Sequence, residues 1–548
     1  MIKNLEKPHL PIHTLIGPTE ENFYQLGLND RERHSLLINH AIGLIRATRS
    51  DSVNKGIQSL LKSSVGFACE YKPRFKKRMQ AYAEGLETSL ESVTTGLLIP
   101  EIMSCLDKWF PGIPSTILGC SSYFTWDEKR DSMVHGRTLD FPFLGSFDAN
   151  ERILKARFDH GPLTLSFSSA GFPYPSITVM SEAGFSLALH QKFSRTFNYT
   201  GTPIFDLIFE LLQNCQSQKD IIQFLKKSES LTAWALYIGF ADGKVLSSEI
   251  DGKDLYYNEH QTIPGKVLYF CNERENPDLV DPETMPYGFQ LYNEMRQEQK
   301  EKKLEELGLS QTNWTAEKLI RYMGVALEQK DLKSRDWKAD PMTPATLQNI
   351  CMLPGKSEAL LIGGSAPKFF AGDVVKISDC FKKEKSKNVK VKGKSNSSDY
   401  RKGVHHLMQS QVNLDLGKTH NAFHHIQIAR EFLENYPYGK IVEFFFYVLQ
   451  YMYENDRKVL GNLLVKFKGL EDLLPSYLQD HNTLFIARLE SILKGRTTVG
   501  IDEIHHMALQ KVFEFEKRIP RTVLHLVTRE VMNPRFDILD IIYPHVRP

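Results

Sequence analysis

Apolar residues recur at three- and four-residue intervals from Arg31 to Arg49 and again from Lys72 to Cys105, a spacing that predicts helices. Strand-like alternation is scarce up to about residue 110, so this first block reads as helical. Pro111-Gly-Ile-Pro114 closes it, because proline and glycine stop helices. The period then shortens. Runs at Thr116–Thr125, Ser132–Leu139, Leu163–Ser169, Ser176–Met180 and Phe185–Leu189 read as strands punctuated by Gly and Pro. Two further stretches, Pro203–Asn214 and Lys219–Lys227, predict helices. Strands are expected again at Ala233–Phe240, Val245–Ile250 and Lys266–Phe270. A charged helical insert is expected at Glu294–Leu307, followed by strands at Gln348–Met352 and Ala359–Ile362. Strands, a helix pair and strands again predict a layered α+β domain in place of alternating βαβ units.

From Lys382 to Ser398 the sequence is KKEKSKNVKVKGKSNSS, which has no apolar period and predicts a flexible, solvated linker. A basic run of this kind can bind polyanions, but a solvated linker is the simpler expectation. From Val404 to Pro548 the pattern is almost wholly helical. Ala422–Leu433, Lys440–Tyr453, Lys458–Phe467 and Leu484–Leu493 resemble stacked helical hairpins of the tetratricopeptide sort, without a strict period. Such arrays bind a protein partner or pack on their own catalytic domain.

A length of 548 residues favours several domains. The 68 Lys and Arg nearly cancel the 66 Asp and Glu, so no global basic field argues for nucleic acid. The opening MIKNLEKPHLPIHTLIG lacks the apolar stretch of a secretory signal. No run approaches the roughly 20 apolar residues of a membrane span. The expectation is a soluble, cytoplasmic chain with no integral membrane segment. Cys69, Cys105, Cys120, Cys215, Cys271, Cys351 and Cys380 are scattered with no C-x-x-C pair, which argues against a zinc or redox motif. His405, His406, His420, His424 and His425 invite a metal reading, but no carboxylate or cysteine is placed to complete a shell, so no metal is expected.

The chemistry concentrates around Gly119-Cys-Ser-Ser-Tyr-Phe-Thr-Trp126 and the next strand, Val134-His-Gly-Arg-Thr-Leu-Asp-Phe-Pro142. A cysteine opening a strand is commonly a small buried hydrophobe. If the two strands form a hairpin, however, Arg137 and Asp140 return towards Cys120. A free thiol, with a pKa near about 8.5, needs that help at neutral pH: a cation favours the thiolate, and a carboxylate can orient an amine that accepts the proton.

Gly-Cys-Ser-Ser followed by Gly-Arg-x-x-Asp-Phe resembles the N-terminal-nucleophile cysteine hydrolases. That group includes the peptidase C45 or acyl-CoA:6-aminopenicillanic acid acyltransferase-like proteins, bile-salt hydrolases and acid ceramidase. GFPYPSITVMSEAGFSLALHQKF (residues 171–193) resembles the acid-ceramidase version of a strand pair in that group. Val267-Leu-Tyr-Phe-Cys-Asn272 is similar to its strand ending in an oxyanion asparagine. Met79-Gln-Ala-Tyr-Ala-Glu-Gly-Leu86 resembles a pro-region helix, and Thr343-Pro-Ala-Thr-Leu-Gln348 a late strand. The resemblance spans roughly residues 70–370.

It implies a four-layer α/β/β/α sandwich with a helical pro-segment (1–119) and a hydrolase domain (120–380), while the Lys/Ser-rich linker (381–400) and the helical domain (401–548) fall outside it. It also implies that Cys120 cleaves the chain after Gly119, then attacks a linear amide and hydrolyses or transfers its acyl group, without metal or organic cofactor. Asp140 would hold the freed α-amine, Arg137 would favour the thiolate and orient substrate, and Asn272 would donate to the oxyanion. His190 would contact substrate. Relatives usually carry asparagine at the position of His190, and their late arginine has no clear counterpart, since Glu273–Tyr292 offers Arg274 and little else. Two other readings stay open: an N-acyl lipid amidase resembling acid ceramidase, and a catalytically silent scaffold binding a protein partner through residues 401–548. Cys271 is expected to be structural, because alternation turns it away from the face of Asn272.

Overall fold

The computed structural model describes residues 9–44, 51–109, 119–141, 143–193, 197–276, 314–324, 344–364, 366, 368, 374–382, 389–390, 399–436, 438–537 and 539–543. The charged insert expected at Glu294–Leu307 and most of the Lys/Ser-rich linker lie outside these residues.

The described elements begin with two strands, β1 (His9–Leu10) and β2 (Ile12–Gly17). Five helices follow: α1 (Thr19–Asp30), α2 (His34–Leu44), α3 (Asp51–Tyr71), α4 (Pro73–Leu86) and α5 (Leu90–Trp109). The central region then supplies β3 (Gly119–Asp127), β4 (Ser132–Asp140), β5 (Glu151–Phe158), β6 (Thr164–Ser169), β7 (Thr178–Ser181) and β8 (Phe185–Gln191). Helices α6 (Ile204–Asn214) and α7 (Gln218–Leu225) precede β9 (Ala233–Phe240), β10 (Lys244–Asp251), β11 (Asp254–Gln261) and β12 (Leu268–Phe270). Helix α8 (Ala316–Met323), β13 (Thr346–Leu353), β14 (Glu358–Leu361) and β15 (Val375–Ile377) complete this region.

The protein is a mixed α+β structure built on two large sheets. One runs β11-β10-β9-β8-β7-β6-β5-β2 and the other β12-β3-β4-β13-β14-β15. Pairing is antiparallel throughout both, except where β2 joins β5 in parallel with Ile12 opposite Ile153. The sheets face each other. Phe124 and Met133 of the six-stranded sheet pack with Ala235, Tyr237 and Val245 of the other. Farther along the interface, Ile350, Met352 and Leu361 meet Ile153, Leu165 and Phe167. The outer face of the eight-stranded sheet buries Leu154, Phe158 and Leu187 in one cluster with Phe23 of α1, Met79 of α4 and Ile208 of α6. The outer face of the six-stranded sheet is covered by α8, whose Leu319 and Met323 pack with Tyr123, Val134 and Cys351. Each fully buried Leu or Phe on these faces contributes on the order of 1.5–3 kcal/mol, which is why the two sheets and their flanking helices hold together.

The opening block carries its five helices, but the expectation of an all-helical segment misses β1 and β2. The linker expectation also needs correction at Val389–Lys390. This pair forms a short strand, β16, opposite Leu10 and His9. The tail is helical at Asp399–Asp415, Thr419–Leu433, Tyr438–Tyr453, Arg457–Lys468, Ser476–Lys494, Met507–Glu516 and Arg521–Val531. A small hairpin of Asn533–Arg535 with Asp540–Ile542 follows, which the helical pattern did not announce. The helices pack in sequence, yet nothing supports a true helical repeat.

Candidate active site

Strands β3 and β4 form the expected hairpin, with Ser122 opposite Arg137, Cys120 opposite Leu139 and Gly119 opposite Asp140. Side chains alternate across a strand, so Cys120, Ser122, His135 and Arg137 share the face turned to the other sheet. All four are completely buried. Asp140 belongs to the opposite face and stands beside Gly119.

Arg137 organises the site. Its Nη2 donates to Cys120 Sγ at 2.9 Å and to the Leu189 carbonyl at 2.7 Å. Its Nη1 lies 2.7 Å from Nε2 of His190. A guanidinium has only protons to offer, so that nitrogen accepts and the His190 ring is a neutral tautomer protonated on Nδ1. Tyr237 packs edge-on against the same imidazole, centroid to centroid 4.5 Å. The cation beside the sulfur favours negative charge on it.

Beyond His190 the polar residues continue between the sheets. Ser122 Oγ is 2.9 Å from His190 Nε2 and 3.2 Å from His135 Nε2, and His135 Nδ1 is 3.0 Å from Ser186 Oγ. Burial, and after it the Arg137 charge, pushes His135 well below the usual histidine range, so this ring is neutral too. Ser122 and His135 went unread in the sequence, although two-residue alternation from Cys120 and Arg137 points to both.

Asn272 lies just past β12, which pairs with β3 through Phe270 and Ser122. Its Oδ1 accepts the Cys120 backbone N–H at 2.7 Å and its Nδ2 donates to the Gln191 carbonyl at 3.0 Å. These two partners fix the amide orientation. The expected oxyanion role is therefore not the contact displayed here; Asn272 holds the nitrogen of the Gly119–Cys120 peptide bond.

Asp140 accepts from Thr346 Oγ1 at 2.5 Å. A Cβ built on Gly119 would lie 3.1 Å from Asp140 Cβ and 3.2 Å from its Oδ2, so the carboxylate crowds the residue before Cys120 and glycine suits that place. Arg274, the one arginine after Asn272 within the described part of that segment, turns away from Cys120. It pairs with Asp251 at 2.9 Å and donates to the Phe193 carbonyl. Cys271 joins the cluster under α8, away from Asn272.

An apolar cavity of about 40 Å³ adjoins the site. Leu139, directly across the strand from Cys120, lines it with Phe141 and Phe143, and Leu37 of α2 and Leu97 of α5 close it from the N-terminal helices. Among the described residues no group of three or more His, Cys, Asp or Glu could hold a metal ion. Among them, too, no helix is long and apolar enough to cross a membrane. His406 and His425 of the tail meet each other, Nδ1 to Nδ1 at 2.9 Å.

No protein-family model matches the chain, and no curated protein does. Among solved structures it is similar to the Caenorhabditis elegans N-acylethanolamine-hydrolyzing acid amidase (NAAA) ortholog, at 12% identity and a TM-score of 0.30. That likeness covers 43% of this chain and 93% of the other. At that score it carries no argument, and function is read from the geometry around Cys120.

Proposed function

We propose that this chain is a self-cleaving cysteine hydrolase of the N-terminal-nucleophile type, acting on linear acyl amides, with its two sheets and flanking helices forming an α/β/β/α sandwich. The observation that carries the proposal is the convergence on one peptide unit: a guanidinium on Cys120 Sγ, an asparagine on the Cys120 nitrogen and a carboxylate beside Gly119.

In the first reaction Cys120 Sγ attacks the Gly119 carbonyl carbon. The C–N bond breaks as the C–S bond forms, and the proton lost by the thiol ends on the departing nitrogen. Water then hydrolyses the thioester, leaving a Gly119 carboxylate, a free thiol and the α-amine of Cys120. An α-amine has a reference pKa of about 7.7–8.0, suited to a general base near neutrality. Asn272 Oδ1 already holds one N–H of that nitrogen, so after cleavage it would hold the amine by one proton and leave the lone pair for the thiol. In the second reaction the amine takes the thiol proton as sulfur attacks the substrate carbonyl. It returns the proton to the leaving amine, and water resolves the acyl-thioester. Arg137 and His190, joined at 2.7 Å, form the fixed polar wall behind the sulfur.

The apolar lining of the adjoining cavity favours a substrate whose acyl part is hydrocarbon, as in N-acyl lipids. In the uncut chain that cavity has about the volume of one water, so α2 and α5 must give way for a chain to enter.

Intact mass and N-terminal sequencing of the wild type beside Cys120→Ala test the proposal. A fragment beginning Cys-Ser-Ser-Tyr from the wild type alone supports it. An intact wild type after long incubation at neutral pH overturns it and leaves the scaffold reading. Acyl amides graded by chain length then separate a lipid amidase from a small-acyl hydrolase.

A further inference from the structure

Lys192 lies two residues past His190, just beyond the end of β8, and the chemistry above does not use it. Its side chain is completely buried, an expensive place for an ammonium unless acceptors surround it. Nζ donates to the carbonyl oxygens of Cys271, at 3.2 Å, and of Glu273. It also meets the Tyr237 hydroxyl at 3.2 Å and Glu249 Oε1 at 3.1 Å. The two peptide carbonyls it holds stand on either side of Asn272. Strand pairing stops at Phe270, so the course of the next residues depends on contacts of this kind. Glu249 adds another by accepting the Glu275 N–H at 2.9 Å.

We propose that Lys192 is a positioning residue whose ammonium clamps the carbonyls flanking Asn272 and so fixes the Asn272 amide against the Cys120 nitrogen. The inference rests on the self-cleavage reading above. The Asn272 side chain spans two short bonds, to Cys120 N and to the Gln191 carbonyl, and a drift of its backbone by about 1 Å breaks both. Misplacement on that scale slows a reaction by about a hundredfold. A lysine that merely filled space would be replaceable by an apolar side chain of the same length without effect on the bond being cut.

A double-mutant cycle between Lys192 and Asn272 in the full chain tests the clamp, read as the rate at which the fragment starting at Cys120 appears. Lys192→Met leaves the Glu249 carboxylate only the more distant Arg274 guanidinium, at 3.8 Å, so the charge-balanced pair Lys192→Met with Glu249→Gln is made beside it, and thermal melting confirms that it folds. The expected result is cleavage slowed about ten- to a hundredfold by the balanced pair, with no further slowing when Asn272→Ala is added to it. Losses that multiply, or a balanced pair that cleaves at the wild-type rate, overturn the clamp. A wild type that never cleaves overturns the self-cleavage reading, and the clamp falls with it.

Discussion

Arg137 serves three acceptors at once: Cys120 Sγ, the Leu189 carbonyl and His190 Nε2. Its planar fork fixes the direction of each donor towards these three, which an ammonium in its place, a single point of charge, does not. Arg137→Lys is therefore expected to slow self-cleavage by about a hundredfold, the loss usual for a misplaced polar group at a reacting centre. A gel time course of fragment appearance measures it, and an unchanged rate would show that charge alone suffices. His190 acts as an acceptor towards Arg137, so His190→Asn keeps a partner for the guanidinium and His190→Leu removes it. The asparagine variant is expected to cleave faster than the leucine variant, and equal rates would remove His190 from the site.

Helices α1 and α4 cross at bare backbone. A Cβ on Gly27 would lie 2.4 Å from the Tyr82 carbonyl, and one on Gly85 would lie 2.2 Å from that of Tyr24. Gly85→Ala must push the helices apart, at a cost of about 1–3 kcal/mol, which appears as a lower melting temperature. Another contact ties α2 to the loop after β4. His40 Nδ1 is 2.8 Å from Ser146 Oγ, and its ring packs on Phe143 at 5.0 Å. Burial pulls His40 down to about 4 from 6.5. Between those values the unfolded chain binds more protons than the folded one, so the His40 contribution is complete above about pH 6.5 and fades as pH falls through 4. It amounts to roughly 3 kcal/mol at most. Melting curves from pH 7 to 4.5 are expected to fall less steeply for His40→Gln than for wild type; parallel curves would sink this assignment.

Across the whole molecule, the residues before Cys120 are built into the domain that follows. Strand β2 forms one edge of the eight-stranded sheet. Buried ion pairs join Asp30 to Arg152 and Arg78 to Asp206. Glu101 of α5 accepts from the Ile204 N–H at 2.6 Å and the Trp234 indole at 2.8 Å. Removing one partner of a buried pair costs about 3–5 kcal/mol, so several together resist separation. The two fragments are expected to co-elute on native size exclusion after cleavage and to part only in denaturant. Separation under native conditions would contradict the role given to these pairs. The tail is joined as closely, with Val404, Leu407 and Met408 sharing one buried cluster with Leu144 and Phe147.

Period and punctuation in the sequence determined most of the strands from β3 to β14, both helices of the central pair and the helices of the tail, because burial on one face leaves a repeat of two or of three to four. The β3–β4 hairpin stood in the sequence only as a condition for Arg137 to return to Cys120, and the fold meets that condition. Strand β5 was missed because Arg152 and Lys155 interrupt its apolar run; both are buried, and Arg152 is neutralised by Asp30, 122 residues away. Strand β2 is a short edge piece whose partner arrives more than a hundred residues later. Alternation could have found Ser122 and His135, but nothing local distinguishes Lys192 from any other strand-end lysine. Its acceptors come from Tyr237, Glu249, Cys271 and Glu273, and only the folded chain brings those four together around one ammonium.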